Sequence, residues 1–104
     1  MFIDEFGVQY SDDKKRLILC PKDFQGAYVI PAYVEYIEAG AFAGILGITS
    51  VTFTNSDIYI DEDAFSGCDN LMNIIVPFGK KELFIQKFHD AYIEQSVTDK
   101  ITEA

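Results

Sequence analysis

The chain has 104 residues, of which 49% are apolar and 14% aromatic, enough for one domain with its own core and too hydrophobic for a disordered segment. Seventeen acidic residues against 8 basic ones give a net charge of −9, a surface that repels phosphate and anionic lipid and argues against a nucleic-acid partner or a membrane-surface role. No apolar run reaches the length of about 18 residues that spans a bilayer, so no membrane insertion is expected.

Met1-Phe2-Ile3-Asp4-Glu5 has no basic start and no long apolar stretch, unlike a secretory signal. Cytoplasmic placement is the simpler expectation; the alternative is a cell-surface or secreted protein whose leader has been removed. Residues Phe6 to Cys20 predict a β-hairpin: Val8 and Tyr10 alternate on one side, Leu17, Ile18 and Leu19 form the other, and Ser11-Asp12-Asp13-Lys14-Lys15 makes the turn. Asp is expected to bond its own backbone there. Pro21 ends the second strand, because it offers no N–H to a ladder. This hairpin, residues 1–22, is expected to cap the N-terminal end of the domain.

The next stretch is organised by repetition. Ile37–Phe53 and Ile60–Val76 are two copies of one pattern, twenty-three positions apart. Ile37 answers to Ile60, Ala41 to Ala64, Phe42 to Phe65, Gly44 to Gly67, Ile48 to Leu71, Val51 to Ile74 and Phe53 to Val76. Apolar positions match in register and polar ones loosely, as when inward side chains are constrained and outward ones are free. The same offset relates three strands, Ala27–Ile30, Ser50–Phe53 and Asn73–Val76. Alternation turns Tyr28, Val51, Ile74, Ile30, Phe53 and Val76 inward, and Ala27, Ser50, Asn73, Val29, Thr52 and Ile75 outward. Tyr36-Ile37-Glu38 and Tyr59-Ile60-Asp61 predict a second short ladder with Tyr36 beside Tyr59.

Each copy then carries Ala-Phe-x-Gly, at Ala41–Gly44 and Ala64–Gly67. The Phe fills the broad end of a coil, the Ala sits where the backbone turns inward, and the Gly takes a φ that a Cβ would disfavour. Cys68-Asp69-Asn70 bends the second copy; Ile45-Leu46-Gly47 replaces that bend in the first, which would expose Ile45 or Leu46, through local packing or as a contact patch. After Pro77 the pattern gives way to helical spacing from Lys80 to about Gln95, with Phe84, Phe88 and Tyr92 on one face, Leu83, Ile85 and Ala91 beside them, and Gly79 at the boundary. Ser96 to Ala104 frames one short strand or frays.

The stretch Ala64 to Pro77, read as Ala-Phe-x-Gly-Cys-x-x-Leu-x-x-Ile-x-Val-Pro, resembles the BspA-like class of bacterial leucine-rich repeats. Tyr10-Ser11-Asp12-Asp13-Lys14, Leu17-Ile18, Cys20-Pro21 and Tyr28-Val29-Ile30-Pro31 resemble the segment that leads into such repeats, and Val76-Pro77-Phe78-Gly79-Lys80 with its aromatic helix resembles their closing segment. The resemblance implies stacked coils with parallel ladders and a role in recognition or adhesion, often at the bacterial surface; it brings no catalytic motif. The expected fold is thus mainly β with some α: a single-domain leucine-rich-repeat solenoid of about 23-residue repeats over residues 23–77, between the hairpin cap and a C-terminal helical cap and tail over 78–104.

The residues offer little chemistry. Asp57, Asp61, Glu62 and Asp63 form an acidic cluster, but a calcium loop counted from Asp61 would need Gly at its sixth position, where Ser66 stands. Cys20 and Cys68 occupy apolar positions and read as buried thiols; no Cys-x-x-Cys accompanies the single His, so no metal or other cofactor is implied. His89 and Asp90 are adjacent and face different ways on a helix, which suits a surface His better than a catalytic one. Three classes remain: a protein-interaction module that uses the outward residues Val29, Thr52 and Ile75 or the tyrosines Tyr33, Tyr36 and Tyr59; a self-associating homo-oligomer that completes a solenoid with fewer than three full repeats; and, least favoured, an enzyme. The acidic edge is expected to be simply solvated, so millimolar Ca²⁺ should leave the melting temperature unmoved in a thermal scan; a rise would reveal a cation site.

Overall fold

In the computed structural model, which describes residues 1–104, short extended segments bounded by turn-forming residues make nine strands, and two helices join them. The first three are β1 (Phe2–Ile3), β2 (Gln9–Tyr10) and β3 (Arg16–Leu19), an antiparallel meander. The expected hairpin is β2–β3, and β1 is an addition to it. In its turn Asp13 Oδ1 accepts the N–H of Lys15, but the positive φ (65°) falls on Lys14 and not on an Asp.

Next come β4 (Gly26–Ile30), β5 (Tyr36–Ile37), β6 (Ile48–Phe53), β7 (Tyr59–Ile60) and β8 (Asn73–Val76). Strands β4, β6 and β8 pair in parallel with the register the offset demands: Ala27 with Ser50 with Asn73, Tyr28 with Val51 with Ile74. Strands β5 and β7 form the second parallel ladder, Tyr36 with Tyr59 and Ile37 with Ile60. All six residues assigned inward on the first ladder are buried. The hairpin is not merely laid against the second ladder, as a cap would be. Strand β3 pairs in parallel with β5, Leu17 against Ile37, and becomes its first member; the twenty-residue spacing there falls outside the twenty-three-residue period.

Between the ladders the Ala-Phe-x-Gly turns stack directly. Phe42 N–H donates to Ala64 O at 2.8 Å and Gly44 N–H to Ser66 O at 2.7 Å. Gly44 and Gly67 have φ of 70° and 73°, the left-handed region where a side chain is strained. The Phe42 and Phe65 rings lie nearly parallel, 11° apart, with centroids 5.0 Å apart. Of the two residues expected to include an exposed one, Ile45 is buried and Leu46 is exposed. Position 45 corresponds to Cys68, so the interior simply exchanges one apolar side chain for another.

The remaining elements are α1 (Lys81–Asp90), α2 (Gln95–Thr98) and β9 (Ile101–Glu103). Helix α1 is shorter than the expected run to Gln95. Tyr92 lies beyond it with φ of 57° and is 75% exposed, so it leaves the aromatic face to Phe84 and Phe88, both buried; Leu83 is also exposed, whereas Ala91 is buried. Phe88 stands twenty-three positions after Phe65 and stacks on it at 5.7 Å and 15°, which carries the ring column into the helix. The tail does not fray. Strand β9 adds to β8 in parallel, Ile74 with Ile101, and extends the first ladder to four strands.

The interior is one apolar cluster that runs from Val8 to Ile101. Phe65 sits in the middle of the column, with Phe42 on one side, Phe88 on the other and the Phe53 ring edge-on at 6.1 Å. Truncation of such a side chain removes its transfer free energy and leaves a cavity, a cost of about 3–5 kcal/mol. Phe65→Ala should therefore lose that much in equilibrium urea unfolding, a large part of the roughly 5–15 kcal/mol usual for a domain, whereas Tyr92→Ala should change stability by less than about 0.5 kcal/mol.

Candidate interaction surface

The two ladders present two separate outward rows. On the four-stranded sheet, pairing aligns Val29 with Thr52, Thr52 with Ile75 and Ile75 with Thr102. Val29 is 56% exposed, while Thr52 and Ile75 are half-buried among their neighbours. On the five-stranded sheet the row is Arg16, Tyr36, Tyr59. The candidates Val29, Thr52 and Ile75 thus come together, and so do Tyr36 and Tyr59, but the two groups lie on different sheets. Tyr33 belongs to neither row; it sits in the turn after β4, exposed, its ring edge-on to buried Tyr10 with centroids 6.2 Å apart.

The tyrosine row is a built stack. Tyr36 and Tyr59 rings lie 4.9 Å apart at 23°. On the other side of Tyr36 the Arg16 guanidinium lies 3.9 Å from the ring centroid, a cation–π arrangement, and its Nη2 donates to Glu38 Oε2 at 2.7 Å. That carboxylate raises the Arg16 pKa further above its already high value. Tyr36 Oη donates to Asp61 Oδ2 at 2.5 Å, which raises the phenol's pKa; the same bond, with the Glu62 N–H on Oδ1, holds Asp61 below the usual carboxylate range. Arg16 was missed in the sequence because its partner strand lies off the twenty-three-residue period.

Beside Tyr59 runs an open groove of about 680 Å³ lined by Glu35, Asn55, Asp57, Ile58, Tyr59 and Lys87, continued by a smaller hollow that adds Ile60 and Asp90. Lys87 Nζ donates to Ile58 O at 2.9 Å. Glu35 lies 3.9 Å from Lys15 Nζ, and Asp90 Oδ1 accepts from Gln86 Nε2. Asp63 accepts from Ser66 Oγ, and the chain has no group of three or more His, Cys, Asp or Glu placed to hold a metal ion. His89 is exposed and bonds Gln95 at 3.1 Å.

A parallel-ladder repeat protein with an interior of stacked rings and no helix long and apolar enough to cross a membrane is the class this architecture defines. A family model for the BspA type leucine rich repeat region (6 copies) matches residues 25–102, and the chain belongs to that family. No curated protein and no solved structure matches it.

The buried polar groups are structural. Tyr10 Oη bonds Tyr28 Oη, and Tyr28 Oη donates to Asp4 Oδ2 at 2.6 Å, while Asp4 Oδ1 accepts from the N–H groups of Phe6 and Val8. Burial is the main cause that pushes Tyr10 up to about 12 and also raises Tyr28, helped at Tyr28 by the Asp4 carboxylate. Burial likewise pushes the Cys20 thiol up to about 12 and raises Cys68; both are free thiols. A folded-state pKa above the unfolded one contributes stability that is complete below the unfolded value and is lost as pH rises toward the folded one. The urea midpoint should therefore fall from about pH 8, where unfolded thiols begin to ionise, and more steeply above about 9, where the tyrosines join. In the Cys20→Ala/Cys68→Ala protein the decline should begin about one pH unit later; an unchanged onset would mean that the thiols contribute nothing to it.

Proposed function

We propose that the protein is a non-catalytic protein-interaction module, a short leucine-rich-repeat solenoid closed by the hairpin at one end and the helix at the other, whose outward rows meet a protein partner. The observation that carries this reading is the tyrosine row. Tyr59 is 57% exposed, yet it is held rigid by its stack on Tyr36 and by the paired backbone beneath. Large amphipathic rings already ordered before binding lose little entropy when a partner covers them. Val29, Thr52 and Ile75, with Tyr33 nearby in the chain, form the second surface offered to a partner. Neither nucleic acid nor membrane suits a chain of net charge −9, and the reading needs no cofactor.

A self-associating unit is the second reading. It is favoured by β4, which ends the four-stranded sheet with a free edge and carries the exposed Val29. Light scattering over a hundredfold range of concentration distinguishes the two, with a monomer expected throughout and a concentration-dependent dimer pointing to self-association. Partner capture from the native cell should succeed with the wild type and fail with Tyr36→Ala/Tyr59→Ala. If the double variant keeps every partner, the tyrosines merely pack on the sheet surface.

A further inference from the structure

The four-stranded sheet runs β4-β6-β8-β9, so β4 has a neighbouring strand on one side only. Along β4 the backbone groups alternate in direction. Gly26 N–H donates to Gly47 O at 2.9 Å and Ile30 O accepts from Thr54 Oγ1 at 2.8 Å, so residues 26, 28 and 30 face β6. Alternation turns the N–H and C=O groups of Ala27 and Val29 the other way, and none of these four groups has a bonding partner in the molecule. The outward row agrees. Thr52 and Ile75, flanked on both sides, are half-buried, whereas Val29 is exposed because no strand lies beyond it.

Other sheet edges in the molecule are guarded. Strand β9 ends in Glu103, whose carboxylate takes the Lys81 N–H, and β7 is met by α1 through Lys87. Strand β4 has no such guard. From Phe24 to Val34 the chain carries no charged residue, although its net charge is −9. Pro31 lies one residue past the strand and leaves both free amides in place. The side chains at this edge are apolar on both faces. Outward, Ala27 and Val29 are exposed. Inward, Phe6 stands edge-on to Tyr28, the residue between them, with ring centroids 6.0 Å apart, and is itself exposed.

We propose that the edge of β4 docks an extended, uncharged apolar segment of a partner protein, which adds as a further strand and bonds Ala27 and Val29 through its main chain. The unpaired groups define the occupant. An N–H and a C=O repeated at every second residue match an extended backbone and not a helix, whose amides are bonded internally. The neighbours define its side chains. Its outward residue lies beside Val29 and continues the row through Thr52 and Ile75, while its inward residue rests on Phe6, so β-branched or aromatic residues suit both positions. A carboxylate there would lose its water with no cation in this stretch to meet it. Basic residues belong beyond the ends of the segment, where the net negative charge draws them. The proposal rests on the interaction reading above and names one of its two surfaces and the chemistry of what that surface takes.

The test follows the two free amides by NMR hydrogen exchange, with a Lys-Val-Thr-Val-Thr-Val-Lys amide as the probe. In the protein alone Ala27 and Val29 should exchange fast while Tyr28 and Ile30 are protected; on saturation with peptide, exchange at Ala27 and Val29 should slow at least about tenfold. Fluorescence anisotropy of the labelled peptide should show saturable binding. Affinity should fall at least about tenfold with Ser in place of the three Val, with at least one of two versions N-methylated at odd or at even positions, and in Val29→Pro. That proline removes an N–H that β6 does not use, so the ladder survives, which circular dichroism checks; should the variant not fold, exchange in the wild type decides alone. No binding at millimolar peptide, unchanged exchange at Ala27 and Val29, equal binding of the Ser peptide or of both N-methylated versions, or an unchanged affinity in folded Val29→Pro overturns the docking edge. Protection of the two amides that rises with protein concentration alone overturns it as well, because it gives the edge to a second copy. Peptide-induced shifts confined to Tyr36 and Tyr59 overturn it too, while leaving the interaction module standing on its other sheet. The module itself fails only if the wild type captures no partner.

Discussion

Face-to-face contact between identical rings at identical heights is the constraint from which the rest of the molecule follows. Phe42, Phe65 and Phe88 can stack only if each segment that carries one returns to the same place after the same length of chain. That requirement sets the register of both ladders, since the strands are the legs between one ring and the next. It also explains the small residues around each ring. Ala41 and Ala64 are fully enclosed, and a Cβ on Gly67 would stand 3.5 Å from the Gly44 backbone. Neighbouring turns approach this closely because the left-handed glycines let the chain double back without a side chain in the way. Offset aromatic contacts of this kind add about 0.5–1.5 kcal/mol each beyond the area they bury.

The two ends solve the problem of an exposed apolar interior in different ways. At the start, antiparallel β1 and β2 fold over the first ladder member, and Asp4 pins them by bonding both its own turn and the buried hydroxyl of Tyr28. At the finish, a helix takes the position of a strand. Phe88 supplies the ring, Phe84 packs on Phe53 at 4.8 Å, and Ala91 O receives the Asp63 N–H that a further turn would have bound. A helix has spent its own amides internally, so it meets the edge of β7 through a side chain instead, Lys87 Nζ on Ile58 O.

What could be read from the residues followed the strength of the period. The ladders, the buried rings and the Tyr36–Tyr59 neighbours were all legible, because each is a property of one copy repeated in the next, whereas at Ile45 and Leu46, where the copies differ, the residues did not tell which one is exposed. Features that break the period were not. Leu17 joins a ladder at a spacing of twenty, so Arg16 could not be placed over Tyr36. The extent of α1 was overread because Tyr92 continues an i, i+4 series that the backbone abandons at Ala91, where the chain must turn to deliver β9 to the other ladder. The candidate surface was half legible: alternation tells outward from inward, but it does not tell which of two sheets an outward residue decorates.

The repetition of Phe at position 88 also bears on how such a molecule changes in length. Because the helix meets the array through the same ring contact that one copy makes with the next, an additional copy duplicated ahead of it would find a matching mould above and below. Growth would then proceed by whole increments, with each insertion lengthening both exposed rows by about 4.8 Å and neither terminus needing redesign. A scaffold with interchangeable joints can vary its reach while the chemistry of its closures stays as it is.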